Sequence, residues 1–521
     1  MTQTPKPLPT TTSSFRDIIM GGFLYIDKTK SIYELIKDAK GAYFLSRPRR
    51  FGKSLLLSTL EELFRGNRDL FRGLWIDSSD YDWETHPVIR LDLSQAPVKT
   101  VEDLETNLKR ALRRIAQQYQ VTLVDGPAHA QFDDLIFALA QEKQVVILID
   151  EYDNPLINNL TNLAEAKRIR DTLKGFYGVI KAMDRYVRIA FITGVSKFSK
   201  VSVFSELNNL DDLTFDGRAA TMLGITQAEL EHYFQDRLPH FAQVEDLTEE
   251  ALLQKIREWY NGFRFTRVTE SLYNPFSTMN LFTKYSFHNF WFESGTPSFL
   301  INLIKQQGLD PMQLEELTLR EIAFSTYELE NLDIIPLLYQ TGYLTIKDYD
   351  QTQRLYTLAY PNLEVEESFI TWLLGSYSEL GRSFGEIYIW DLIDALKTQS
   401  LDQFFKILSV FFANVPYDLH INREGYYQTI FYLIFMMFGF RVDAEVKTND
   451  GRIDAVVELT DHIYLFEFKL DKSAKEALAQ IKSHAYYQKY LLHGKPITCI
   501  GANFNTLTRT VDDWATEAVP L

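Results

Sequence analysis

The run Val145–Ile149 (VVILI) is apolar at every position and closes on Asp150 and Glu151. A strand that is apolar throughout, rather than at alternate positions, needs cover on both faces, which a parallel sheet enclosed by helices provides. Ala42–Ser46 (AYFLS) and Val187–Thr193 (VRIAFIT) read the same way, and Val88–Leu93 (VIRLDL) alternates as a strand. Helical periodicity covers Lys53–Arg65, Thr100–Gln118 and Ala164–Met183 between them. This alternation predicts an α/β domain, a parallel sheet with flanking helices over residues 15–220, behind a Thr/Pro-rich tail at 1–14.

From 221 to 300 the pattern is helical, and Thr226 followed by Glu229 predicts a capping box. TGYLTIKDYD and RLYTLAY predict a hairpin, and with the helix before it a winged-helix-like module over 301–384. That module could read DNA, but its hairpin carries Lys347, Asp348 and Asp350 rather than a basic cluster, which favours a structural role. A second α/β unit follows at 385–521. Its expected helices are 388–413, 423–438 and Ala474–Leu492, with strands at Asp443–Val446, Ile453–Leu459, Ile463–Lys469 and Ile497–Ile500.

RPRRFGKS, Arg47 to Ser54, lies between the first strand and its helix. There, successive backbone N–H groups of Arg47, Pro48, Arg49, Arg50, Phe51 and Gly52 (proline excepted) and a helix N-terminus could cradle phosphates. Lys53 would reach the β- and γ-phosphates of ATP, and the Ser54 hydroxyl would ligate Mg²⁺. Arg47 stands where the pattern G-x-x-x-x-G-K-[ST] has its first glycine. Asp150 would hold Mg²⁺ and Glu151 would polarise the attacking water. Thr193 could sense the γ-phosphate or simply satisfy a strand end. Arg47, Arg49 and Arg50 could act as phosphate or inter-subunit charge sensors, or pair within the loop.

In the last unit, Glu467 and Lys469 stand two apart on one strand and so share a face, with Asp454 on the strand before. Asp454, Glu467 and the Phe468 carbonyl could hold one or two Mg²⁺ or Mn²⁺ ions, and Lys469 could orient and deprotonate a water for attack on a phosphodiester. Glu-x-Lys on a strand is also a common cross-strand ion pair. Glu424, opening a preceding helix, could add a carboxylate. Tyr426–Phe440 could stack bases, but at helical spacing it reads more readily as core.

FLYIDKTKSIYELI, YFLSRPRRFGKSLLLSTLEELFRG, VVILIDEYDNP, FITGVSKFSKVSVFSELNNLDDLT, WYNGFRF, LYNPFS and WFESGTPSFL resemble the bacterial AAA-ATPase-like proteins fused to a PD-(D/E)XK nuclease domain, from Phe15 to Phe504. The resemblance implies that RPRRFGK[ST] is a usual form of the loop, and that a helical lid follows the ATPase core at 221–300. It implies a restriction-endonuclease-like C-terminal domain, in which Gln480 matches a position where a glutamine positions substrate or lysine.

Asp and Glu total 70 against 54 Lys and Arg, a net charge of −16, so any contact with nucleic acid must use a local basic cleft. Lysines 469, 472, 475, 482 and 489 supply one near the nuclease strand. The single cysteine, Cys499, excludes an internal disulfide framework and a Cys-rich zinc site. With no secretory signal, and with the greasiest run (Ile430–Phe440) short of the ~20 residues that span a bilayer, the expectation is a cytoplasmic protein without a membrane partner. The expected ligands are ATP, Mg²⁺ and nucleic acid, DNA foremost, with a homo-oligomer as a further expectation. The alternative is an ATP-switched binding protein whose nuclease fold is inactive.

Overall fold

The computed structural model describes residues 5–37, 40–197, 203–204, 207, 209–267, 270–293, 298–307, 309, 314, 317–324, 333–378, 382–414, 423–441, 445–449, 453–508 and 510–519. The chain gathers into two compact units, 1–300 with 316–365, and 301–315 with 366–521.

In the first unit β1 (Ala42–Ser46), β2 (Val88–Asp92), β3 (Val145–Asp150), β4 (Val187–Gly194) and β5 (Leu210–Asp212) form one sheet in the order β2-β3-β4-β1-β5. All its pairings are parallel. Every residue of β1 and β3 is buried, as uninterrupted apolar runs require. The helix Lys53–Phe64 lays Leu56, Leu60 and Leu63 into a core shared with Val146, Leu148, Ile189 and Phe191. The helix Val101–Gln118 opens on a Thr100–Asp103 capping box and buries Leu104, Leu108, Leu112 and Ile115 along one stripe. Helices Ala128–Leu139 and Leu163–Ala182 complete the layers.

The helical segment expected from 221 carries the Thr226–Glu229 capping box in full. Its helices Gln227–Phe234, Leu238–Val244, Glu249–Tyr260 and Pro275–Lys284 close around Leu230, Phe234, Phe241, Ile256 and Phe282. β6 (Leu317–Arg320), β7 (Thr345–Asp350) and β8 (Leu355–Ala359) then form a small antiparallel sheet in the order β6-β8-β7, with the helix Ile334–Thr341 before the hairpin. This sheet and helix belong to the first unit.

The second unit holds β9 (Glu445–Asn449), β10 (Ile453–Glu458), β11 (Ile463–Leu470), β12 (Ile497–Asn505) and β13 (Thr510–Val519) in the order β13-β12-β11-β10-β9. Only the β11–β12 pair is parallel, and the helix Ala474–Ser483 makes its crossover. The span expected as one helix from 388 to 413 is divided between Arg382–Lys397 and Leu401–Ala413. The helix expected to reach Leu492 ends at Ser483, because Ala485 takes a left-handed conformation and a 3₁₀ turn follows from Tyr486. The expected strand start at Asp443 lies outside the described residues. Ile430, Phe431, Leu433, Phe435 and Phe438 are buried, so this part of the aromatic stretch is core. Among the described residues no helix is long and apolar enough to cross a membrane.

Candidate functional site

Because β4 lies between β1 and β3, three strand ends meet at one edge of the sheet, the position where open α/β sheets bind ligands. The loop after β1 carries Lys53, β3 ends in Asp150 followed by Glu151, and β4 carries Thr193. Arg50 (φ 64°) and Gly52 (φ 95°) take left-handed conformations. The N–H groups of Arg49, Arg50, Phe51 and Gly52 donate to no acceptor among the described residues. A run of uncommitted amides leading into a helix N-terminus is a concavity suited to an anion.

The Lys53 ammonium is buried, donates to the carbonyls of Arg47 (3.1 Å) and Pro48 (3.2 Å), and lies 3.4 Å from Glu151 Oε1. Thr193 Oγ1 donates to Asp150 Oδ1 (2.7 Å), as does the Glu151 amide (3.1 Å). Asp150 Oδ2 accepts nothing from the described residues. Burial pushes the Glu151 carboxyl above the usual range; Lys53 opposes the shift, and Asp153 and Asp150 add to it. Ser54 is half-buried in the first turn of the helix. Among the described residues no three His, Cys, Asp or Glu side chains gather to hold a metal. A Mg²⁺ ion held mainly by phosphate oxygens needs only one carboxylate and a hydroxyl, donor types that Asp150 and Ser54 carry.

The loop's other side chains turn elsewhere. Arg47 is buried and donates to the carbonyls of Ser46 (2.9 Å), Thr214 (2.9 Å) and Ala219 (3.0 Å), with its guanidinium 4.2 Å from the Phe265 ring centre. Burial pushes its pKa down to about 10. Its guanidinium therefore braces the loop from the protein side and is not presented to a phosphate. Arg50 stacks over Phe276, and the Arg49 carbonyl accepts from Trp291 Nε1 (3.0 Å). Phe51 sits edge-on to Phe263 and Phe265. Pro48 faces Gly342, where φ is +92° and a methyl group would come within 2.8 Å of the proline ring. Beside the loop lies an apolar cleft lined by Ile26, Phe51, Leu223, Ile225, Pro275 and Met279 among others. The sequence reading missed this cleft because its walls come from distant segments without a shared motif. It also missed Asp153, a buried carboxylate that accepts from Val195 N, Ser196 N and Ser196 Oγ.

In the second unit Glu467 and Lys469 share a face of β11, and the lysine donates to Glu467 Oε1 at 2.9 Å. Glu467 is 2% exposed. Gly501 pairs with Glu467 in the β12 register, and a methyl group there would overlap the Ala474 carbonyl, so the helix Ala474–Ser483 lies close over this part of the sheet. Phe466 and Phe468 point to the opposite face and pack on Phe404, Phe431 and Phe435. Ala455 pairs with Phe466 in the antiparallel β10–β11 register, so 454 and 467 are neighbouring backbone positions. Asp454 and Glu424 lie in β10 and in the helix Arg423–Arg441, with side chains outside the described residues. Gln480 is half-buried on the crossover helix, and among the described residues no hydrogen bond joins its side chain to Glu467 or Lys469.

Residues 9–204 match the AAA-ATPase-like family, described as "Predicted AAA-ATPase", and residues 422–514 match the PD-(D/E)XK nuclease superfamily. The chain is 39% identical over 534 residues to an "Uncharacterized protein in vnfD 5'region" of Azotobacter chroococcum mcd 1, covering 99% of each. A solved structure of the Aeropyrum pernix ORC2 protein in ADPNP–ADP complexes aligns at 12% identity over 69% of this chain and 92% of that one, with a TM-score of 0.26, too low to support a conclusion. With its fully parallel sheet in one unit and its mixed sheet in the other, the chain belongs to the family of AAA-ATPase-like proteins that carry a C-terminal PD-(D/E)XK nuclease-superfamily domain.

Proposed function

We propose that the protein binds and hydrolyses ATP at the β1, β3 and β4 strand ends, and cleaves nucleic acid, DNA foremost, at the Asp454–Glu467–Lys469 site in the cytoplasm. The observation that carries the ATPase half is the convergence of Lys53, Asp150, Glu151 and Thr193 beside four uncommitted amides. Bound Mg²⁺ would neutralise charge on the β- and γ-phosphates. Lys53 would exchange the Arg47 and Pro48 carbonyls for phosphate oxygens. Asp150 and Ser54 would hold the metal, Glu151 would orient the attacking water and take its proton, and Thr193 would turn its hydroxyl from Asp150 to the γ-phosphate. The apolar cleft beside Phe51 is the place proposed for the nucleobase, since it offers apolar lining next to the phosphate loop.

In the nuclease half, Asp454, Glu467 and the Phe468 carbonyl would hold Mg²⁺ or Mn²⁺. Lys469 would orient the water, Gln480 would position substrate, and Glu424 would add a carboxylate. A homo-oligomer formed through the ATPase unit is part of this reading. The burial of Glu467 and its ion pair with Lys469 favour a second reading, in which the nuclease fold is inactive and the ATPase switches a binding surface.

Phosphate release from ATP and cleavage of labelled single-stranded DNA, double-stranded DNA and RNA, measured in Mg²⁺ and in Mn²⁺, separate the two. Cleavage that Glu467→Ala abolishes supports the nuclease. ATP hydrolysis without cleavage under any condition supports the second reading. A chain that neither binds nor hydrolyses ATP refutes both.

A further inference from the structure

Two residues beyond Glu151, the fully buried Asp153 accepts hydrogen bonds from Val195 N (3.1 Å), Ser196 N (2.7 Å) and Ser196 Oγ (2.7 Å). Tyr152 closes the same seam by donating from its hydroxyl to the Ser196 carbonyl (2.9 Å). Gly194 between them has no room for a side chain, since a methyl group there would overlap the Tyr152 ring and the Asp153 carboxylate. The loop that leaves β4 is thus locked to the loop that carries Glu151.

The next residue continues the contact into a distant part of the chain. The Lys197 amide donates to Gln340 Oε1 at 2.7 Å. Gln340 is 4% exposed, and its Nε2 is buried without a partner among the described residues. Gln340 belongs to the helix Ile334–Thr341, all eight residues of which are buried. Gly342 directly after it abuts Pro48 of the phosphate loop. The contacts run from Glu151 through Asp153, Ser196, Lys197 and Gln340, and return to Pro48 through Gly342. The helix that a DNA-reading module of this type would place in a groove is instead buried, with Gln340 on the loop after β4 and Gly342 beside Pro48.

We propose that Gln340 and Asp153 are positioning residues for ATP hydrolysis, fixing the Glu151 loop relative to the phosphate loop through the helix Ile334–Thr341. The proposal rests on the ATPase reading above. Gln340→Met keeps the side chain's length but removes the acceptor, whereas Gln340→Glu keeps an acceptor oxygen. In the full chain, Gln340→Met retains affinity for a fluorescent ATP analogue and loses roughly tenfold in kcat with little change in KM, the signature of a misplaced catalytic group. Gln340→Glu recovers most of that loss, and Asp153→Asn lowers kcat in the same direction. The tie itself is read without nucleotide by amide hydrogen exchange at Lys197, which is faster in Gln340→Met than in the parent or in Gln340→Glu. Faster exchange at Lys197 with kcat unchanged overturns the positioning role. Affinity, kcat and melting temperature that fall together in both Gln340 variants also overturn it, in favour of simple packing. A parent chain with a protected Lys197 amide that binds no ATP refutes the ATPase reading itself, and the proposal with it.

Discussion

Lys53 meets Glu151 at 3.4 Å by bringing together a loop after β1 and the end of β3, whereas Lys469 meets Glu467 at 2.9 Å along a single strand. The first pair is assembled by the sheet, and its members have other commitments. Lys53 is held on two loop carbonyls that a phosphate can replace, and burial, with Asp153 and Asp150 adding to it, raises the Glu151 pKa. The second pair is local and sealed, with Glu467 almost wholly removed from solvent. A site built from several elements depends on those elements being held in place. A pair built on one strand depends on what covers it.

Lys53→Ala tests the assembled pair with the largest expected effect. It removes the charge proposed to bind phosphate, which is also the only cation that opposes Glu151 at ion-pair distance among the described residues. ATP affinity and phosphate release should both fall by ~10²-fold or more. Glu151→Gln should bind ATP normally and lose on the order of 10²–10⁴-fold in hydrolysis, as expected for a removed general base.

The pH dependence sharpens this second case. Because the folded-state pKa of Glu151 in the free protein is raised above its reference of 4.5, the acid limb of kcat/KM should lie above the ordinary carboxylate range. The native fold binds the proton more tightly than the unfolded chain. The stability contribution of Glu151 is therefore fully present below about 4.5 and is lost as pH rises through the folded value. Compared with Glu151→Gln, the parent should lose stability over that rise. Parallel denaturation midpoints for the two across pH 4 to 8 would contradict it.

For the sealed pair, Lys469→Met removes a charge partner from a buried carboxylate and should cost about 1–3 kcal/mol in denaturant unfolding of the second unit, besides abolishing cleavage. Glu467→Gln should abolish cleavage at a smaller cost in stability, since no buried charge remains. A surface ion pair would give less than ~1 kcal/mol for either. The smallest effect should come from Gly342→Ala, which strains a left-handed position and crowds Pro48. A loss of about 1 kcal/mol with a few-fold weaker ATP binding is expected, read by melting temperature and nucleotide titration.

The same contrast explains what the sequence reveals. β1, β3 and β4 are legible because strands buried on both faces must be apolar throughout, and the Thr226–Glu229 box is legible because capping is local. β5 is only Leu210–Asp212, and β13 (TVDDWATEAV) is an edge strand with exposed acids, so neither has an apolar signature. The placement of Lys53, Asp150 and Glu151 at neighbouring strand ends could be anticipated because spacing and flanking strand announce it. Arg47 could not be placed, since a basic residue in a phosphate loop reads the same whether it faces the ligand or turns inward to carbonyls from residues 214 and 219. Asp153 and Gln340 carry no local signal at all, because their partners are set by tertiary contacts over 43 and 143 residues.

The most direct test is cleavage of labelled single- and double-stranded DNA in Mg²⁺ and in Mn²⁺, with and without ATP, by the parent chain, Lys53→Ala and Glu467→Ala side by side. Two chemistries on one chain predict that Glu467→Ala loses cleavage while still hydrolysing ATP, and that Lys53→Ala loses hydrolysis. Cleavage that survives in Glu467→Ala, or phosphate release that survives in Lys53→Ala, would contradict the assignment of that chemistry to these residues.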